Sequence, residues 1–427
     1  MLYISSLIQN YRIVYSTKGF KRFFSQIYPN YNLQYYCNPK NHEEIKQNIK
    51  IRKGVGDVDR VMQLYKIITK TSEDNHEYER IKQDLYEALS ILPNKTHPFV
   101  KGKFEPHIAH EINKKKDFGE YKPFEFSEIT RLLNLMRIEK LGHTCGHKSY
   151  YFFGELAELE EALIKYTVKK LLDDGFQLIS VPDILASNVL ESCGMSVKSD
   201  RTQIYSLDPH HHGTDLCLSG TAEMSLAGLL ANSVHNINDL PLKLAAVSRC
   251  YRAETSNLAE ERGIYRVHQF NKVEMFVVTT SEQSEEMLEV IRNTQEQIFT
   301  PLGISVRVLD MPPYELGAAA YRKYDMEAWM PGRQAYGEIS SCSNCTDYQS
   351  RRLNITYKTL NDEYCYVHTL NGTACAIPRM LIALIETHQH PKGKIIIPET
   401  IQKFMNGKKF IMKNTKVPEL KLLKIKR

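Results

Sequence analysis

Arg252 and Glu254, separated by a polar loop from Phe270 and Glu274, form the densest set of chemically useful side chains in the chain. KLAAVSRCYRAE before the loop and RVHQFNKVEMFVV after it read as two strands. Side chains on a strand alternate faces, so Arg252 and Glu254 are expected on one face of the first strand, and Phe270 and Glu274 on one face of the second. A guanidinium, two carboxylates and a phenyl ring on a hairpin suit a nucleotide, with the cation on phosphate and the ring on the base. The plainer alternative is a charged antiparallel sheet with a solvated face.

Arg379 carries a separate signal. Pro378 suits the first turn of a helix whose body is MLIALIE, and the positive end of a helix normally prefers acids. A cation there points to an anionic ligand nearby, unless the arginine simply extends into solvent. Metal chemistry of the zinc type has little support. Cys342 and Cys345 form a CxxC with no second pair at ribbon spacing, and His210, His211 and His212 read as exposed loop histidines.

Several elements must position these groups. ELAELEEALIKYTVKKLLDDG is expected as a long amphipathic helix with Leu156, Leu159, Leu163 and Val168 on its apolar side. Val58, Val61, Tyr65 and Ile68, then Tyr78, Ile81, Leu85, Ala88 and Leu92, keep heptad spacing. TSEDNH supplies the turn between them and Pro93 the stop, so two short antiparallel helices are expected, either as a projecting arm or as a subdomain packed on the body. Lys46, Lys50, Arg52 and Lys53 at the base of this pair could meet phosphates.

At 427 residues, 42% hydrophobic and 25% charged, the chain has the size and composition of a globular protein with about two domains plus tails. No run approaches the roughly 18–20 apolar residues of a membrane helix. Of the net charge of +6, residues 1–42 carry +5 without a single acid, residues 407–427 carry +7, and residues 43–406 carry −6. Basicity is thus terminal. The segment before Glu43 is basic, serine-containing and acid-free, which matches a mitochondrial presequence, the alternative being a plain basic tail. Nine scattered cysteines fit reduced thiols in an intracellular compartment.

The ordered segments taken together resemble the class II aminoacyl-tRNA synthetases, and within them the seryl-tRNA synthetases of the mitochondrial type. DDGFQLISVPDIL, with Gly175, Phe176 and Pro182, is similar to the first class motif, the Arg252–Glu254 hairpin to the second, and LNGTACAIPRMLIALIE, with Arg379, to the third. SGTAEMSLAGLL and GEISSCSNCTDYQSRR resemble segments diagnostic of the seryl branch, and the resemblance runs from about residue 93 to about residue 402.

The resemblance implies an α+β fold: a class II catalytic domain, mostly antiparallel sheet flanked by helices, with an N-terminal antiparallel two-helix arm. It implies a presequence over 1–30, a tRNA-binding arm over 31–105, a catalytic domain over 106–406 and a basic tail over 407–427. It further implies an ATP site of Arg252, Glu254, Val267, Phe270, Glu338, Ile339, Ser340, Ser341 and Arg379. In it Arg252 serves the α-phosphate, Glu254 the adenine amine, Phe270 the base and Arg379 the γ-phosphate. Glu338 and Ser341 would hold Mg2+, although strict strand alternation pairs Glu338 with Ser340, so either the strand carries a bulge there or the segment is not a strand. The serine site would comprise Thr221, Ala222, Glu223, Arg252, Glu274 and Thr373, and the loop carboxylates Glu260 and Glu261 with Arg262 would lie toward the acceptor end. Implied partners are ATP, L-serine, tRNA(Ser) and a second copy of the chain, with no membrane, and the implied location is the mitochondrial matrix. The rival readings are an inactive synthetase-like paralogue acting as a binding or dimerisation partner, and a module that only binds tRNA.

Overall fold

Six strands from the second half of the chain and two from the first half assemble one large sheet, and helices cover it. The computed structural model describes residues 29–139, 141, 144–197, 202–212, 215–254 and 262–419. Residues 1–28 of the expected presequence, the loop residues Glu260 and Glu261, and residues 420–427 of the basic tail lie outside the described residues.

The eight strands are His107–Ile112 (β1), Gln177–Ile179 (β2), Leu242–Tyr251 (β3), Gln269–Thr279 (β4), Val306–Asp310 (β5), Arg322–Met330 (β6), Ala335–Asn344 (β7) and His368–Ala376 (β8). Their order is β1-β5-β6-β7-β8-β4-β3-β2. Every neighbouring pair is antiparallel except the edge pair β2 and β3. The helices used below are His42–Arg52 (α1), Val58–Ile68 (α2), Tyr78–Ile91 (α3), Glu155–Asp173 (α4), Ala222–Leu229 (α5), Ser284–Phe299 (α6) and Ile377–His388 (α7). This is the expected α+β architecture.

Strand β4 shows how the sheet separates two cores. Val273, Met275 and Val277 face the layer of α4, α6 and α7. Phe276 and Val278 face the opposite side, where they pack with Leu244, Ala246 and residues of α5. Further back on that second face the chain places Lys272 and Glu274 instead, so apolar packing gives way to charge along one strand.

Several expectations change. Strand β3 ends at Tyr251, so Arg252 and Glu254 follow the strand and do not share a strand face. His210, His211 and His212 close a short helix, exposed as expected, with His211 bonded to Asp208 at 2.9 Å. Finally, the expected tail from residue 407 begins as part of the body. Phe410–Ile411 pairs with Lys394–Ile396, and Asn134 Nδ2 donates to the carbonyls of Asn414 (3.1 Å) and Val417 (2.7 Å).

In the N-terminal unit α2 and α3 pack through Val58, Val61, Leu64, Ile81, Leu85 and Leu89, and Ile45 and Ile49 of α1 join the same core. The predicted seam is present, shifted by one residue at Leu64 and Leu89. Arg52 is a correction. It is 2% exposed and bonded to backbone carbonyls, unavailable to phosphates, while Lys46 is paired with Asp59 at 2.9 Å.

The turn between β6 and β7 is clamped to α7 by Glu386, whose carboxylate accepts from the N–H groups of Phe126 (2.9 Å), Gly332 (2.8 Å) and Arg333 (3.2 Å). A Cβ at Gly332 would lie 2.6 Å from Glu125 Cα and closer still to the Phe124 carbonyl oxygen. Backbone atoms cannot yield as a flexible side chain does, so Gly332→Ala should destabilise the fold by about 2–4 kcal/mol. A urea midpoint unchanged from wild type would contradict that packing.

Candidate functional site

A cavity of about 460 Å³ opens on the sheet face that carries Lys272 and Glu274. At one end, Arg252 lies just past β3, its guanidinium 5.3 Å from the ring centre of Phe270 on β4, with Nη2 directed at the Gly220 carbonyl at 3.4 Å. Glu254 is buried beside Arg266, whose Nη1 stands 3.7 Å from its carboxylate. Val267 and Ile339 form the apolar lining between these groups. A cation, a ring and a carboxylate therefore meet as the hairpin suggested, through the chain's turn after β3 rather than through strand alternation.

Arg379 enters from the first turn of α7, where Pro378 is the second helical residue. Its Nη1 bonds the Glu338 carboxylate and the Glu338 carbonyl, both at 3.1 Å, and its Nε bonds the Tyr265 carbonyl at 3.2 Å. The Tyr265 ring lies near two guanidiniums, 4.6 Å from Arg379 and 5.0 Å from Arg333, and its hydroxyl accepts from the Glu338 N–H at 2.9 Å. Burial opposes ionisation of Glu338, but Arg379, then Lys323 and Arg252, hold its carboxyl below the usual range.

Two β-bulges aim the polar groups. Between β6 and β7 the register pairs Met326 with Ser340 and Glu327 with Glu338, leaving Ile339 as the extra residue. The shift brings Ser341 to the Glu338 side. Ser340 is turned away, its hydroxyl bonded to the Thr373 carbonyl and to Gln295 at 2.8 Å. Between β4 and β8, Val273 pairs with Cys375 and Glu274 with Thr373, so Ala374 is extra and Thr373 faces Glu274 at 3.4 Å. One amide serves both bulges: Gln295 Nε2, from α6, bonds the carbonyls of Ser341 (2.8 Å) and Thr373 (2.9 Å).

A second polar group in the lining is built on Glu274 and Glu223. Lys272 forms a buried ion pair with Glu274 and donates to Thr221 Oγ1 at 2.7 Å, while Thr221 Oγ1 lies 3.3 Å from Glu274. Thr221 also caps α5, accepting from the Glu223 N–H. Glu223 accepts from Gln349 Nε2 (2.6 Å) and Asn371 Nδ2 (2.9 Å). Burial, then the charge of Glu274, pushes its pKa up to about 7 against those donors and Lys272. Of the residues expected here, Ala222 is the exception: it starts α5 with its methyl in the second core, and does not line the cavity. Among the described residues no group of three or more His, Cys, Asp or Glu is arranged to hold a metal ion, and Cys342 and Cys345 are both buried.

Sequence reasoning passed over Lys272, Asn371, Gln349 and Tyr265. Lys272 and Asn371 each stand two residues before a recognised group on a strand, Glu274 and Thr373, and that spacing was a usable signal. Gln349 and Tyr265 act through contacts distant in sequence, for which no local signal exists.

Comparison with known proteins gives this arrangement its class. Residues 205–388 match the model of the tRNA synthetase class II core domain (G, H, P, S and T). The mitochondrial serine–tRNA ligase of Mus musculus is 44% identical over 343 residues, covering 79% of this chain and 66% of that protein's length. The mitochondrial serine–tRNA ligase of Saccharomyces cerevisiae is 41% identical over 347 residues, covering 80% of this chain and 77% of that protein. The crystal structure of seryl-tRNA synthetase from Pyrococcus horikoshii complexed with ATP superposes with a TM-score of 0.79 at 30% identity, covering 90% of this chain and 100% of that one. The chain belongs to the seryl-tRNA synthetase family.

The raised pKa of Glu223 has a signed consequence. Between its ordinary value of 4.5 and about 7 the folded state holds the proton more tightly than the unfolded state, so this group lowers stability as pH rises through that window. Glu223→Gln should remove the slope. The variant should gain on wild type by about 1–3 kcal/mol between about pH 5 and about pH 7.5, then run parallel to it. Urea midpoints that differ by a constant across the range would refute the assignment.

Proposed function

We propose that the chain is a mitochondrial serine–tRNA ligase, which joins serine to ATP as seryl-adenylate with release of pyrophosphate and passes the seryl group to tRNA(Ser). The observation that carries the reading is that the guanidiniums of Arg252 and Arg379 and the hydrogen-bonded carboxylates of Glu223 and Glu274 line one cavity. Catalysis here is mainly positioning and charge neutralisation.

In this reading the serine ammonium meets Glu223, ionised to receive it, and the serine hydroxyl donates to Glu274 beside Thr221 and Thr373. Alanine would leave a buried carboxylate with one partner fewer, which is the basis for rejecting it. The serine carboxylate then attacks the α-phosphate, whose charge Arg252 offsets while Phe270 stacks on the base and Glu254 accepts from the adenine amine. Arg379 holds the γ-phosphate and is itself aligned by Tyr265 and Glu338. Glu338 and Ser341 offer hard oxygen donors on one face because of the bulge, a donor set that suits Mg2+, and a bound ion would neutralise phosphate charge.

The domain assignment is part of the proposal: presequence over 1–30, tRNA-binding helices over 31–105, catalytic domain over 106–406 and basic tail over 407–427. The packing of residues 407–419 on the body argues for moving the last boundary toward residue 420. A matrix location is supported by the acid-free N-terminal segment and by the mitochondrial designation of the mouse and yeast relatives. Homodimerisation is supported by the open edge at β2, where Leu178 stays exposed, as does Leu172 of α4. No helix among the described residues is long and apolar enough to cross a membrane.

Purified protein should exchange pyrophosphate into ATP with serine and Mg2+ but not with alanine, and Glu274→Ala and Arg379→Ala should each lose about 100-fold or more. Absence of exchange by folded wild-type protein would favour the inactive paralogue instead. Residues 1–30 fused to a fluorescent reporter should carry it into mitochondria, and a reporter left diffuse in the cytosol would refute the presequence.

A further inference from the structure

Arg52 ends α1, in the helical unit, yet its side chain is directed entirely at backbone carbonyls outside that helix. Nη1 bonds the carbonyls of Asn94 (2.8 Å), Lys95 (3.2 Å) and Ala320 (2.9 Å), and Nη2 those of Gly317 and Ala318 (3.4 Å). No carboxylate pairs with it among the described ion pairs, so its charge is matched by carbonyl dipoles alone. Asn94 completes the junction, donating to the carbonyls of Ala319 (2.8 Å) and Cys345 (2.9 Å), and Asn48 of α1 donates to Asn94 at 3.0 Å.

The loop held in this way is a wall of the cavity. Its Ala319 packs with Cys345 and Tyr348, and it abuts Gly194, where an added Cβ would lie 3.2 Å from the Ala319 methyl. Cys345 Sγ is 3.5 Å from Asn371 Nδ2, and Asn371 in turn holds Glu223. A short chain of contacts therefore joins Arg52 to the end of the cavity where Glu223 and Glu274 lie. Converging carbonyls without a donor repel one another and seek water, so losing the guanidinium would let the wall relax outward. Lysine cannot replace it, because one ammonium with three donors does not match the span of a planar fork.

We propose that Arg52 is a positioning residue for the amino-acid end of the site, so that the N-terminal helical unit sets serine affinity and the exclusion of larger amino acids by fixing the Gly317–Ala320 wall. This rests on the function proposed above. The test uses the full chain with Arg52→Lys and Arg52→Met, in pyrophosphate exchange with serine and with threonine. Serine KM should rise about ten-fold or more while the ATP KM stays within about two-fold, and the threonine-to-serine ratio of kcat/KM should rise several-fold. A purely structural role would lower the melting temperature and leave the KM split and the ratio unmoved. Folded Arg52→Lys with wild-type serine constants, or with equal rises in both KM values, would overturn the inference. If neither variant folds, the double variant Ala318→Gly, Ala320→Gly decides. It keeps Arg52 and its acceptors but loosens the wall, and should give the same split; unchanged constants would overturn the proposal. Wild-type protein that exchanges with no amino acid would overturn the functional reading and this inference with it, a result distinct from an active enzyme indifferent to residue 52.

Discussion

The carboxylates of Glu223, Glu274 and Glu338 are among those that line one cavity, and the need to tolerate that charge out of bulk water governs the surrounding structure. Isolated buried carboxylates neutralise or unfold the site. Each of these has a different solution. Glu274 is ion-paired with Lys272, Glu338 is held ionised by Arg379, and Glu223 is hydrogen-bonded by two amides with its proton affinity raised. The differences matter chemically, because a carboxylate already committed to a cation and one waiting for an ammonium suit different parts of a substrate.

Aiming those groups requires departures from regular strand geometry. The bulges at Ile339 and Ala374 bring Ser341 and Thr373 into the cavity, and a bulge survives only if its loosened backbone finds partners. Gln295 supplies them for both strands at once, from the opposite face of the sheet. The helix layer is therefore part of the site's geometry, as are the Tyr265 stack and the Glu386 clamp on the β6–β7 turn. The same logic extends to Arg52, where a guanidinium from the helical unit satisfies the carbonyls of a cavity wall.

Much of this was legible in the chain. Strand and helix periodicities announced a hairpin, the long helix and the helical pair, and the resemblance implied the sheet. The residue types at 252, 254, 270, 274 and 379 announced a site for a charged, ring-bearing ligand, and the resemblance added Glu338. These are local properties: apolar spacing follows from which face must be buried, and charged residues inside otherwise apolar strands signal a site because burial without purpose is costly. Tertiary structure alone decided the rest. Strand β3 stops one residue before Arg252, Ser341 rather than Ser340 joins Glu338, and Arg52, outwardly a phosphate-binding cation, is buried against carbonyls. Spacing counts residues along one segment and assumes regular geometry. Bulges, strand ends and the partners of buried charges are set by groups up to hundreds of positions away, as Arg52 and Ala320 are, and only the folded chain brings these together.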